Sequence, residues 1–501
     1  MRACNKDNLL ILIFSIGIIF YFHFLFLNFN RTIIANPEVE LIAVYHALLF
    51  NNGFAESYDH PGYPFFLLFS FLIKFLNIIN ILEIGSLSEA FEYQLFGKEF
   101  KKIFFSLRIL NFFTHVLTIY FILKIFDNYK IDRLIKYTII IIIHFIPNIN
   151  FLYFINTTLS FGLFLLILGV YFLSKEKKSN TNFFLFCLLL MSSTLSKIQF
   201  LPYLFLFPAL FLFLKIITPE ELYIKKKNFS FKNIIGIFLL FLSISIVLDD
   251  LIVMESFNIF HILVIFYFTS LAISFYFLNK NKRDFYDKIS LIGCAFFLII
   301  ILLGIRYVPN NIRIIYDPLF SNEGFFIASG LLSFDFKIIL DLLIDSYNIY
   351  FLNVFPSKIY VLINIKPYYI FINFILFYGI YKKDNILIFI TIGSILSILS
   401  ISLFNSAVRN LGLWYYAVFT DLVCIGLVIY FFNNSKLKIF WKNCLIITLF
   451  LSTIFINHNV INKNISFRDS KFDISLSNQD NLKEYCGRKA YLIRNQIQYK
   501  S

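Results

Sequence analysis

Charged residues are scarce in this chain of 501 residues, where Asp, Glu, Lys and Arg make up 15% of the sequence and hydrophobic residues 59%. A soluble domain has about 25% charged and about 45–50% apolar residues. One aqueous core cannot hide so many apolar side chains, which excludes a soluble enzyme, a fibrous protein and a disordered protein. The short alternating segments of a membrane barrel are lacking too. The mean hydropathy of +0.78 therefore predicts an all-α polytopic membrane protein.

Cysteine is also rare, and its six residues are scattered along the chain. They form no close pair of the kind that binds a metal, and no disulfide framework is implied. The net charge of +14 comes from basic residues in short loops between apolar segments. We therefore expect the lipid bilayer, and not nucleic acid, to be the partner of this chain.

Apolar segments of a length that crosses a bilayer, about 17–25 residues, recur along the whole chain. We predict about thirteen transmembrane helices. They are residues 9–28, 104–126, 137–152, 157–173, 182–197, 199–216, 234–250, 259–278, 289–307, 360–381, 385–404, 414–433 and 443–457. Segment 9–28 is too long for the core of a signal peptide, so we expect it to remain as the first helix.

Lysine and arginine gather in every second loop of this scheme, and the positive-inside rule places such loops in the cytoplasm. These basic loops lie near residues 130–136, 175–178, 225–232, 280–288, 382–383 and 436–442. The N-terminus is then cytoplasmic, in a cell (inner) membrane. Residues 1–457 form one transmembrane domain with two long outer loops, 29–103 and 308–359, and residues 458–501 form a short extracytoplasmic tail.

The first outer loop contains an unusual set of polar residues. Pro37 with Glu38 and Glu40 predicts the start of a helix, because Pro suits the first turn and acids suit the positive end of the helix dipole. Asn52-Gly53 would end it, giving a short helix at the membrane surface. Helix capping alone would also explain the two acids.

Asp59 and His60 come next, before a rigid Pro-Gly-Tyr-Pro turn that opens a second apolar segment, 65–80. We place this segment outside as another surface helix, because a membrane span here would invert every later loop. A carboxylate and an imidazole at the membrane boundary are costly unless they are used. The alternative is a turn whose polar groups are satisfied at the surface.

The order of these features resembles the type C glycosyltransferases, which include protein mannosyltransferases and the aminoarabinose transferases that modify lipid A. In that family an acid opens a surface helix after the first span, where Glu38 stands here. A Pro-rich motif follows, as at 59–63, and then an Arg at the start of the second span, as at Arg108. Thr194-Leu195-Ser196-Lys197 is similar to the family's "TK", and Arg409 before Trp414-Tyr415 to its late "RY". Val39 stands where the family's second acid is common, with Glu40 one place later.

The resemblance implies an enzyme that moves a sugar from a polyprenyl-phosphate donor to a lipid, glycan or protein acceptor on the outer face. Glu38 would be the general base, with Glu40 as the nearest substitute. Asp59 and His60 would bind the donor phosphate directly or through a divalent metal ion, for which this pair suits Zn²⁺ or Mn²⁺ better than Ca²⁺.

Cations are expected to hold the phosphate oxygens, because the leaving phosphate gains negative charge. These cations are Arg108, Lys197 and Arg409, and the expected contacts on the acceptor side are Arg306 and Arg313. The alternative for each cation is snorkelling from a helix end to the membrane interface.

Two other functions fit a chain with many spans. A transporter or flippase would carry ionisable residues near the middle of its spans, where this sequence has mostly Ile, Leu, Phe and Val. A surface-polysaccharide polymerase or ligase would rely on the second outer loop, 308–359, and would not need Glu38.

Overall fold

Every regular element in the described part of the chain is a helix. The computed structural model describes residues 6–21, 37–52, 62–90, 98–145, 157–175, 179–196, 231–254, 282–303, 367–385, 417–435 and 437–452, with isolated positions between 337 and 344 and between 387 and 398. The helices are α1 Lys6–Phe20, α2 Pro37–Asn51, α3 Tyr63–Ile78, α4 Leu87–Ala90, α5 Lys98–Asn128, α6 Arg133–Phe145, α7 Thr157–Ser174, α8 Asn180–Ser196, α9 Phe231–Met254, α10 Lys282–Leu303, α11 Pro367–Lys382, α12 Ala417–Asn434 and α13 Ile439–Ser452. The all-α prediction is confirmed for these residues.

Ten of the thirteen predicted spans overlap a described helix, whereas segments 199–216 and 259–278 lie outside the described residues and only isolated positions of 385–404 are described. Within the described part, α5 is the helix that is long and apolar enough, by length and composition, to cross a membrane. The number of membrane spans therefore stays a prediction.

Contacts fix the relative directions of two helix pairs. Helix α5 runs antiparallel to α1, since Asn8 bonds to Asp127 while Phe20 packs on Phe112. Helix α9 runs parallel to α10, because Gly236 touches Ser290 and Gly293 touches Leu240. Both directions are those expected from the predicted order of spans, in which one further span, 259–278, lies between α9 and α10.

One end of the helix bundle, which we call the basic end, gathers residues from the predicted cytoplasmic loops. Asp127 accepts a hydrogen bond from Asn8 and forms an ion pair of 2.5 Å with Lys136. Asn128 donates to Ser174, which holds the end of α7 beside the end of α5. Lys442, at the start of α13, reaches Asp132 at 3.5 Å. The described residues of the basic loops near 130–136, 175–178 and 436–442 therefore lie at the same end of the bundle.

The opposite end carries a compact cap, by which we mean the described residues of 37–90. Helices α2 and α3 form a second apolar cluster with residues 100–107 of α5 and with Phe161 of α7, separate from the cluster of the helix bundle. Asn51 locks the cap together: its side chain donates to the carbonyls of Ser70 and Gly85 and accepts a bond from the Ser70 hydroxyl.

The first helix of the cap begins at Pro37 and ends at Asn51, as its sequence predicts. Every residue from Ala43 to Leu49 is buried. The second half of α2 is enclosed, because α3, α5 and α7 pack around it. Its position relative to a membrane stays a prediction.

Candidate functional site

A stripe of buried polar residues runs along α5 between the two apolar clusters. It consists of Arg108, Asn111, Thr114, His115 and Thr118, and we call it the polar seam. Spacings of three and four residues put these side chains on one face of the helix. Leu107 before the seam belongs to the cap cluster, and Ile119 after it belongs to the bundle cluster. The seam therefore marks the boundary between cap and bundle.

Arg108 lies at the top of this seam, with only 6% of its surface exposed. At 1.5 Å per residue, about 30 Å of helix separates Arg108 from Asn128 at the basic end. That length equals the hydrocarbon thickness of a typical bilayer, about 30 Å. If the basic end lies at one surface of a bilayer, Arg108 lies at the level of the other surface.

The beginning of α7 joins the seam to the Pro-rich turn. The Ser160 hydroxyl donates to the Asn111 side-chain oxygen, one turn along α5 from Arg108. Thr158, two residues earlier in α7, lies against Gly62 so closely that a Cβ placed there would be 2.9 Å from its methyl carbon. Gly62 is the fourth residue of the motif that begins at Asp59. Two contacts thus connect this motif to the turn of α5 that carries Arg108.

The end of α8 reaches the same region. The Ser193 hydroxyl donates to the Gly162 carbonyl of α7 at 2.7 Å, and Ser193, Thr194 and Ser196 are all buried. Lys197 follows directly and lies outside the described residues. The described residues of the "TK" motif, Thr194 to Ser196, therefore lie near the start of α7.

An aromatic cluster packs against the end of the Pro-rich turn. His46 of α2 is buried and stacks on Phe66 with ring centroids 4.7 Å apart and planes 15° apart. Tyr63, the last residue of the motif, is buried as well and lies 6.4 Å from His46 between ring centroids. These rings hold the first turn of α3 in place, so the position of Gly62 is set by packing on both sides.

A carboxylate at the start of α5 ties the cap to that helix. Glu99 forms an ion pair of 2.6 Å with Lys102 and accepts a hydrogen bond from the Glu83 backbone N–H at 3.1 Å. Burial alone would raise the pKa of Glu99, but the bonds from Lys102 and Glu83, with the charges of Lys102 and Lys98, hold that pKa below its ordinary value. The ionised form is the one that the fold stabilises.

The predicted site residues are described to different extents. Glu38 and Glu40 lie in the first turn of α2, where the described structure is that of the backbone. Arg108 is described fully. The other predicted residues lie outside the described part of the chain: Asp59, His60, Lys197, Arg306, Arg313 and Arg409. Among the described residues, no group of three His, Cys, Asp or Glu side chains could hold a metal ion.

The sequence interpretation missed the rest of the seam and His46. Asn111 and His115 lie within predicted span 104–126, three and seven residues after Arg108. Polar residues at that spacing in an apolar helix mark one inward face, so the signal was available. Asn111 and His115 are exceptions to the mostly apolar middle that the sequence analysis gave to the spans.

No protein-family model matches this chain, and no curated protein or solved structure matches it either.

Proposed function

We propose that this protein is a membrane glycosyltransferase that moves a sugar from a polyprenyl-phosphate donor to an acceptor at the cap end. The observation that carries the proposal is the pair of contacts from Gly62 to Thr158 and from Ser160 to Asn111. They connect segments 59–63 and 108–111, which are far apart in sequence and which the resemblance assigns to one donor site.

The location of the seam supports a lipid-linked donor. Such a donor needs apolar surroundings for its chain and cations for its phosphate at the rim of the bilayer. Arg108 would hold phosphate oxygens with its guanidinium, as Lys197 and Arg409 would as further cations. Asp59 and His60 would bind the same phosphate, directly or through a divalent cation, while Arg306 and Arg313 would face the acceptor.

In the proposed reaction, the acceptor hydroxyl oxygen attacks the anomeric carbon of the sugar and gives its proton to Glu38. The bond from that carbon to the phosphate oxygen breaks, and its electron pair leaves with the polyprenyl phosphate. The first turn of α2 favours an ionised carboxylate through the helix dipole, so the base begins without a proton. General-base help of this kind is typically worth about 10²–10⁴ in rate.

The test uses the purified full chain, supplied with polyprenyl-linked sugars extracted from membranes, and measures release of the polyprenyl phosphate. Glu38→Gln is expected to slow release by about 10²-fold or more, because the amide cannot accept the proton. Glu83→Gln, which alters an exposed cap carboxylate, is the matched control and is expected to leave the rate unchanged.

Undiminished release by Glu38→Gln would remove Glu38 from the mechanism. Loss of release in Glu40→Gln alone would move the general base to Glu40, two residues further along α2.

A second candidate function, transport of a polar substrate, is favoured by the buried seam itself. Asn111 and His115 lie about 4 Å and 10 Å deeper along α5 than Arg108, and polar groups at such depth often line translocation paths. A transporter would move the sugar of a lipid-linked donor across the membrane of proteoliposomes without releasing polyprenyl phosphate. Glu38→Gln would leave that movement intact.

A further inference from the structure

The first turn of α13 exposes large apolar side chains at the basic end. Ile439, Phe440 and Trp441 are 76%, 68% and 59% exposed, and Lys438 before them is exposed as well. Consecutive residues of a helix point about 100° apart. Three exposed neighbours in a row therefore mean that this turn projects from the bundle on most of its sides.

An ion pair places the first turn of α13 next to the turn between α5 and α6. Lys442, next to Trp441, reaches Asp132 in the turn between α5 and α6. Arg133, next to Asp132, is exposed, and its guanidinium lies 5.3 Å from the centre of the Tyr137 ring. The exposed apolar side chains of this turn therefore have basic neighbours, which are Arg133, Lys438 and Lys442.

Other helices continue this pattern around the basic end. Lys175 lies 4.5 Å from the centre of the Phe172 ring, and Lys288 lies 5.6 Å from that of Phe183. The acids of this end in the described helices and turns, Asp7, Asp127, Asp132, Asp284, Asp287 and Asp384, are outnumbered by its lysines and arginines, and two of them are engaged by Lys136 and Lys442. The surface retains a positive charge.

We infer that the first turn of α13 and the α5–α6 turn form a binding site for anionic phospholipid headgroups. Trp441 and Phe440 would enter the boundary between headgroups and acyl chains, where tryptophan is enriched in membrane proteins. Arg133 and Lys438 would bind the lipid phosphates, and anionic lipids attract such basic residues near a membrane surface. This inference rests on the membrane location in the proposed function but not on sugar transfer.

The chain has two tryptophans, so Trp441 can be observed alone after Trp414→Phe. That variant is reconstituted in vesicles of phosphatidylcholine containing a fixed small fraction of brominated phosphatidylglycerol or, in parallel, brominated phosphatidylcholine. We expect brominated phosphatidylglycerol to quench Trp441 at least twofold more strongly at equal fraction, because the basic residues enrich it locally.

Charge variants identify the source of this preference. Adding Arg133→Gln and Lys438→Gln is expected to remove the difference between the two lipids while leaving quenching by phosphatidylcholine intact. The matched control, Lys98→Gln with Lys101→Gln, removes two exposed charges from the cap end and is expected to keep the preference.

Equal quenching by both lipids in the protein with its charges intact would overturn the inference. The inference would also be overturned if aqueous iodide quenched Trp441 fluorescence and brominated lipid did not. Trp441 would then face water or a soluble partner. Sugar transfer by the wild-type chain, together with no lipid preference in its Trp414→Phe form, would refute this inference alone.

Discussion

Replacing Gly62 by alanine is expected to loosen the cap from the bundle, because the added methyl group has no space. A Cβ at this position would lie 2.6 Å from Cζ of Phe66 and 2.9 Å from Cγ2 of Thr158. Neither neighbour can move aside easily: both are buried, and the Phe66 ring is stacked on His46. The strain must therefore separate α3 from the start of α7.

The cost of such overpacking is typically about 1–3 kcal/mol. If the cap opens as one unit, this loss makes its protected amides exchange with solvent about 5- to 150-fold faster, since each 1.4 kcal/mol is a factor of ten. Hydrogen–deuterium exchange measured by mass spectrometry would report this in the cap peptides around residues 43–49 and 65–73. Peptides around 119–126 of the bundle are expected to keep their rates.

Two controls separate a steric cause from other effects of losing a glycine. Gly62→Ser adds the same Cβ and also an oxygen that can cap α3, so it is expected to accelerate exchange as well if the clash is responsible. Gly426→Ala adds a methyl group to α12 where nothing lies within 4 Å, and it is expected to be neutral or stabilising. Wild-type exchange rates in Gly62→Ala would refute the contact between the Pro-rich turn and α7.

Two further predictions concern the seam and the cap. Asn111→Leu and Ser160→Ala, combined in a double-mutant cycle of unfolding in detergent, are expected to show a coupling of about 0.6 kcal/mol, the average for hydrogen bonds between membrane helices, and no more than about 1.7 kcal/mol. Strict additivity would contradict the bond between these side chains. Glu99 has a lowered pKa, so its contribution to stability is complete above the ordinary value of 4.5 and is lost as pH falls through the lowered pKa. The thermal stability of wild type relative to Glu99→Gln is therefore expected to decline as the pH drops below 4.5, and a constant difference would contradict the role given to this carboxylate.

The elements of the cap could be predicted because their signals are local. Pro37 and the two acids start α2, Asn52-Gly53 ends it, and the Pro-Gly-Tyr-Pro turn opens α3. Helix directions could be predicted because basic loops share one end, as the ion pair from Lys442 to Asp132 illustrates.

The contacts that join the site could not be predicted in the same way. Gly62 meets Thr158 only because α7 returns parallel to α5, which depends on how the chain between them packs. The enclosure of α2 is likewise a result of packing by three later helices. Local sequence gives the helix but not its neighbours. Among the described residues, Thr158, Ser160 and Asn111 connect Gly62 of the Pro-rich motif to the turn of α5 that carries Arg108.

The position of Arg108 agrees with the proposed function. Burying an arginine requires that its charge be compensated by hydrogen bonds or opposite charge. Arg108 is 6% exposed and lies where the apolar clusters of cap and bundle meet, one helical turn from Asn111, which accepts a hydrogen bond from Ser160 of α7. In the proposed function this cation would bind an anion at the rim of the bilayer. A lipid-linked phosphate fits that role, because its own apolar chain would bring it to that depth.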